Sequence, residues 1–298
     1  MKIKLSDSLT MSNIVHGFWR LNKWNLTDSE LLNLIEKSID IGVTTVDHAD
    51  IYGGYTCEKK FGDAIALKPS IRNNLQIVTK CGIKIPFENN DYKSHIYDTS
   101  SKHIIYSVEN SLTNLHTDHI DLLLIHRPDP LMDPADVAEA FDKLKSQGKV
   151  LNFGVSNFLP SQFNLLSSYV NVPLVTNQIE LSVLNLENLD NGTVDSAQEK
   201  RIHPMIWSPL AGGKIFTDSS DKVSNMRKVL EEIRYEVGAN SIDEIAYAWL
   251  LNHPSKMLSI VGSHKIERLK SAVNATNIKL TKDQWFKIYT ASLGHDIP

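Results

Sequence analysis

The sequence predicts an α/β chain folded over residues 1–298 as a single (β/α)8 TIM barrel domain, with a short N-terminal hairpin cap and an extra C-terminal helix. Three observations predict it. Short apolar runs alternate with amphipathic stretches along the chain, the pattern of a parallel sheet covered by helices. Eight such runs can be counted, the number that closes a barrel. The run Ile120-Asp121-Leu122-Leu123-Leu124-Ile125 is nearly all apolar, as a strand buried on both faces should be. A doubly wound open sheet is the competing architecture.

Taken in order, Lys2–Leu5 and Leu9–Met11 read as a hairpin capping the barrel floor. Ile14–Phe18 is the first barrel strand. Thr27 then caps a helix, with Glu30 as its capping-box partner and Leu31, Leu34, Ile35 and Ile39 at helical spacing. Val43–Val46 is the second strand, and a helix follows from about Thr56 to Leu67. Leu75–Thr79 is the third strand, followed by a helix over Lys102–Leu115. After the strand at 120–125, Pro134 suits a first helical turn, and that helix stops near Gly148. Further strand–helix pairs begin at Val150, Leu174, Pro204 and Leu258, and Thr281–Tyr289 is helical beyond the eighth unit. Three connections are long: Gly82–Thr99, Ser182–Leu189 and Ser208–Asp221. All would leave the C-terminal ends of strands, where barrel enzymes build their sites. The first of them (Lys84, Pro86, Phe87, Tyr92, His95, Tyr97) is too mixed to select a ligand class.

A formal charge of −4 gives no electrostatic case for nucleic acid or an anionic membrane. Cys57 and Cys81 make no disulfide framework and match no metal spacing, so both read as reduced thiols. There is no signal-peptide core and no run of 18 apolar residues. A soluble cytoplasmic protein without nucleic-acid, membrane or obligate protein partners is expected.

Polar groups fall repeatedly at strand C-terminal ends. Asp47 and Tyr52 follow the second strand, Lys80 ends the third and His126 ends the fourth. Neighbouring strand ends of a closed barrel converge on one mouth, so these four can meet. A lysine ammonium beside a tyrosine favours phenolate and is expected to lower its pKa, while a buried aspartate keeps the lysine charged. Such a tyrosine can give a proton to a carbonyl oxygen. His48 and Asp50 lack the further spaced ligands a metal site needs, so no metal is expected. Alternation along the strand points His48 away from Asp47, toward a helix. Cys57 reads as a packing residue. Trp19 and Trp24, after the first strand, are candidates for the substrate pocket wall. His103, His116 and His119 read as surface or capping residues, and Trp249 and Trp285 as helix–barrel packing.

Asp47 with Tyr52-Gly53, Lys80, and Leu124-Ile125-His126-Arg127-Pro128 resemble the Asp/Tyr/Lys/His tetrad of the aldo-keto reductases. The resemblance continues in order through Gly154-Val155-Ser156-Asn157-Phe158, Asn177-Gln178, Trp207-Ser208-Pro209-Leu210 and Gly262-Ser263, and spans essentially the whole chain. The ending, Gln284-Trp285-Phe286 through Gly294-His295-Asp296-Ile297-Pro298, is similar more narrowly to the bacterial YdhF-type reductases. The resemblance implies an NADPH-dependent reductase of aldehydes or ketones, with a small-molecule carbonyl substrate and Tyr52 as general acid. Asp47 and Lys80 would tune Tyr52, and His126 would lie beside the carbonyl. Ser156, Asn157 and Gln178 would bind the nicotinamide carboxamide, and Trp207 would stack on the ring. Ser208, Leu210, Gly212 and Lys214 belong to a loop across the pyrophosphate. Gly262, Ser263, Lys265 and Arg268 would surround the 2′-phosphate, favouring NADP over NAD. Such barrels bind the coenzyme without a Gly-x-Gly-x-x-Gly turn, and this sequence has none.

Four positions depart from the family pattern. His48 replaces a threonine, Arg127 a tryptophan, and Ser271-Ala272 the usual adenine contacts. The alternative function is an NADPH-binding sensor barrel with little turnover, as in channel-associated members of the family. A Schiff-base lyase using Lys80 is the third.

Overall fold

The computed structural model describes residues 2–86 and 93–297. Its centre is a closed barrel of eight parallel strands: β1 Ile14–Gly17, β2 Thr45–Asp47, β3 Gln76–Cys81, β4 Leu122–Ile125, β5 Phe153–Ser156, β6 Leu174–Glu180, β7 Met205–Trp207 and β8 Leu258–Val261. Each strand pairs with the next in chain order, and β8 pairs with β1 through Ile260–Val15 and Val261–His16. The open doubly wound sheet is thereby excluded.

Side-chain alternation divides the strands into two surfaces. Val15, Val78, Leu122, Leu124, Val175, Met205, Leu258 and Ile260 form one buried cluster inside the barrel. Leu9 and Met11 join that cluster from the N-terminal hairpin (Lys2–Ser6 with Leu9–Ser12), so the hairpin closes the N-terminal end. The opposite residues face the surrounding helices.

Those helices begin and end where local chemistry dictates. Thr27 and Glu30 form the expected capping box on Asp28–Asp40. Pro134 opens Pro134–Ser146 behind the Asp133 cap. The helix at the C-terminus, Lys282–Leu293, carries a second capping box, from Thr281 and Gln284, and ends at left-handed Gly294. Trp249 and Trp285 stack at 4.9 Å and exchange indole N–H bonds to each other's carbonyls, as packing residues should.

The long connections hold more structure than their composition suggested. Ile83–Lys84 pairs antiparallel with Ile96–Tyr97 in the first, where Phe87 and Tyr92 lie outside the described residues. Short helical turns occupy Glu187–Asp190 and Lys214–Thr217 in the other two. Among the described residues no helix is long and apolar enough to cross a membrane.

Candidate active site

Lys80 alternates with Val78 on β3 and so points into the barrel, where it is 1% exposed. Its Nζ lies 2.8 Å from each Asp47 carboxylate oxygen, 2.7 Å from the His48 carbonyl and 3.0 Å from the Tyr52 hydroxyl. A charge this deep persists because it is paired and its donors are used. His126, at the end of β4, stands edge-on to the Tyr52 ring with centroids 5.9 Å apart. The four groups predicted from separate strand ends are together.

Their electrostatics differ from the expectation in one respect. Burial pushes the Tyr52 phenol up, and although Lys80 pulls it down, the net shift is upward. The expected lowering is therefore corrected: desolvation of the phenolate outweighs the neighbouring cation. Burial also works against the Lys80 ammonium, but Asp47 and Tyr52 more than offset it and its pKa rises. His126 is driven well below the usual histidine range by burial, then by Lys80 and Arg127. Near neutral pH the site thus holds a protonated phenol, an ammonium and a neutral imidazole.

A second set of groups lines the adjoining strand ends. Gln178 donates to Asp47 at 2.7 Å, a contact the sequence did not reveal because β6 and β2 are not neighbouring strands. The amide Nε2 also reaches Met205 Sδ at 4.0 Å, which leaves the amide oxygen for another partner. Asn157, in the left-handed region at φ 62°, donates to Ser156 Oγ at 2.8 Å and accepts from the Trp207 indole at 2.9 Å. Ser156 in turn donates to the Gln178 carbonyl. These bonds tie the ends of β5, β6 and β7 into one wall. The Arg127 guanidinium lies 5.7 Å from the centroid of the half-buried Trp207 ring and donates no hydrogen bond among the described residues.

Two loops complete the rim. Ser208, Ala211, Gly212 and Gly213 all adopt positive φ, which turns successive peptides in a way suited to binding an anion. Leu210 packs half-buried beneath them, Lys214 is exposed, and Arg20 reaches across to the Gly212 carbonyl at 3.4 Å. After β8, Gly262 is exposed and Ser263 buried, with Ser263 Oγ accepting from Lys265 N at 3.1 Å. Helix Ile266–Asn274 has no side-chain cap on its first turn. Uncapped N–H groups beside exposed Lys265 and Arg268 suit a phosphate. The residues present fit a nicotinamide coenzyme.

The two pocket tryptophans fare differently. Trp19 stands at the rim, 61% exposed, with Arg20 over its face. Trp24 packs on His16, Phe18 and His264, on the side of the 262–265 loop rather than against Tyr52. That placement agrees with loop packing, the other reading its position allows. His48 does point away from Asp47, stacking on Phe18 at 4.8 Å and against Phe61 at 4.5 Å. Burial raises the Cys57 thiol, which matches a packing role. His116 lies at the surface against Asp63, whereas His103 is half-buried and its Nε2 has no partner among the described residues. Among the described residues no group of three or more His, Cys, Asp or Glu is placed to hold a metal.

Comparison with known proteins identifies the family. The sequence pattern of the Aldo/keto reductase family matches residues 13–292. The uncharacterized oxidoreductase YcsN of Bacillus subtilis (strain 168) is 58% identical, over 100% of this chain and 99% of its own. Oxidoreductase YdhF of Escherichia coli (strain K12) is 50% identical, over 96% and 95%. The 6-dehydroglucose reductase of Agrobacterium fabrum is 42% identical, over 99% of each.

Proposed function

The chain belongs to the aldo/keto reductase family, and from that premise we propose that it reduces an aldehyde or ketone to an alcohol with NADPH, the proton coming from Tyr52. The observation that carries the reading is the Lys80 ammonium, held at once by Asp47 and by the Tyr52 hydroxyl. NADPH, when bound, supplies the hydride. Ser156, Asn157 and Gln178 are suited to its carboxamide and Trp207 to its ring. Ser208, Leu210, Gly212 and Lys214 are suited to the pyrophosphate, and Gly262, Ser263, Lys265 and Arg268 to the 2′-phosphate.

The protein's own chemistry is a proton transfer. Tyr52 Oη holds the proton and gives it to the substrate oxygen. The phenolate left behind is stabilised by Lys80, which Asp47 keeps charged. A raised phenol pKa ensures that the proton is present at neutral pH, and Lys80 limits the cost of releasing it. Neutral His126 donates from its ring N–H to the same oxygen.

The substrate class we infer is a small, hydroxylated carbonyl compound. Two features support it: the Arg127 donors at the mouth, which make no hydrogen bond among the described residues, and the 42%-identical 6-dehydroglucose reductase. The cytoplasm is the compartment we assign, since both cysteines are free and buried.

Tyr52→Phe tests the proton donor. It should lower kcat by about a hundredfold or more, the range for loss of a general acid, with NADPH affinity measured by fluorescence within about twofold of wild type, since the hydroxyl has no part in coenzyme binding. Wild-type turnover of a carbonyl panel by the variant would remove Tyr52 from the role.

A further inference from the structure

His16 lies outside the groups described above, yet it touches the loop assigned to the 2′-phosphate. We propose that His16 is a positioning residue for that loop, fixing the Ser263 carbonyl so that residues 262–265 are set for NADPH before the coenzyme arrives. The inference rests on the NADPH reading and deepens it.

The strand ladder explains why such support is needed. β8 pairs with β1 as far as Val261–His16, and the β8 strand ends there. The His16 side chain carries the support onward. It faces away from the barrel axis, fully buried, with Nε2 2.9 Å from the Ser263 carbonyl oxygen. Its Nδ1 lies 3.1 Å from Ser38 Oγ, on helix Asp28–Asp40.

Proton accounting sets the roles. A carbonyl oxygen only accepts, so Nε2 carries the hydrogen. Burial pushes the imidazole down to about 4, so near neutral pH it holds one ring proton and Nδ1 accepts. The Ser38 hydroxyl is then the donor to Nδ1, sharing its proton with the Leu34 carbonyl 2.8 Å away. The ring itself is held by Phe18 at 4.4 Å and by Trp24, stacked at 5.9 Å. Trp24 in turn contacts His264 at 5.8 Å. A hydrogen bond and a chain of aromatic contacts therefore converge on two successive residues of the loop. From Ser263 the order passes through its Oγ to Lys265 N, at the entry to the uncapped helix.

A merely structural histidine would support both coenzymes equally. A residue that sets the phosphate loop should affect NADPH, which carries the 2′-phosphate, far more than NADH. The test measures the Kd of each by fluorescence quenching, with kcat and KM, for wild type, His16→Gln, His16→Asn and His16→Met, using thermal midpoints as the folding control. The Gln amide reaches the place of Nε2, whereas the Asn amide stops near Nδ1. Losing one buried hydrogen bond should weaken NADPH about threefold to tenfold in the Asn and Met proteins. NADH affinity and kcat at saturating NADPH should hold in those variants, and Gln should restore near wild-type NADPH binding. Unchanged NADPH affinity in the Asn protein, equal losses of both coenzymes, or a Gln variant no better than Asn would each overturn the proposal. Should the Met protein not fold, the Asn–Gln comparison decides. A wild-type protein that binds NADH as well as NADPH would instead refute the coenzyme reading, and this inference with it, before any variant is made.

Discussion

Two buried carboxyls near the Tyr52–Lys80 pair have no ion-pair partner among the described residues. Asp50 accepts from Ile51 N–H at 2.7 Å and Ser107 Oγ at 2.6 Å, and Glu58 from Thr79 Oγ1 at 2.5 Å and Ser111 Oγ at 2.9 Å. Burial pushes Asp50 up to about 8 and Glu58 up to about 7, and the hydroxyl bonds offset only part of that. Unfolded carboxyls titrate near about 4. The native state therefore keeps protons that the unfolded chain releases. Their stabilising contribution is fully present below about pH 4 and is lost as pH rises through about 7 to 8. In urea titrations the wild-type midpoint should fall between about pH 4 and 8, and Asp50→Asn with Glu58→Gln should flatten that fall. An undiminished fall in the double variant would locate the pH dependence elsewhere. Asp47, Lys80 and His126 were legible in the sequence because each interrupts or ends an apolar run at the same end of its strand, and Tyr52 because it follows Asp47 in the loop after the second strand. The net direction of the Tyr52 shift was not, since desolvation depends on everything packed around the phenol. Nor was the Gln178–Asp47 bond, which depends on how strands far apart in the chain meet inside the barrel.

Helix starts were legible where capping is local, as at Thr27 and Glu30, which satisfy backbone groups within their own turn; the end of the last helix was not, since it runs to Leu293 and not Tyr289. Short pieces such as Ile83–Lys84 or Lys214–Thr217 were not, being too brief to show a period. Gly62 separates local from tertiary control. It sits inside helix Cys57–Ala66, where alanine would be favoured by about 1 kcal/mol on propensity alone. A Cβ there would meet the Asn114 carbonyl oxygen at 1.9 Å, at the end of helix Ser101–Asn114. Gly62→Ala should therefore destabilise by about 1–3 kcal/mol, as overpacking does. Thr27→Ala, which only loses a cap, should cost about 1 kcal/mol. Chemical denaturation of both variants checks the order. A stabilised Gly62→Ala protein would mean that the two helices can separate at little cost.

At the scale of the whole molecule, the barrel divides its labour between two ends. Eight apolar runs made closure legible, and the hairpin was readable from its own alternation, but only the closed structure shows what the hairpin covers. Leu9 and Met11 are buried against Val15, Val78, Leu122, Val175, Met205 and Leu258, at the floor. Tyr52, Lys80 and His126 lie at the strands' C-terminal ends, at the mouth. In barrels of this kind the N-terminal face serves stability and the C-terminal face chemistry. The two should separate under mutation. Met11→Ala empties a fully buried site and should cost about 2–5 kcal/mol. Below its lowered melting temperature its kcat and NADPH affinity should match wild type, whereas Tyr52→Phe should lose kcat while keeping its NADPH affinity. A Met11→Ala protein that stays folded at the assay temperature yet loses turnover would show that floor packing sets the strand ends. Lys80 would then depend for its position on the whole interior stack of β3, from Val78 upward, and not on its bonds to Asp47 and Tyr52 alone.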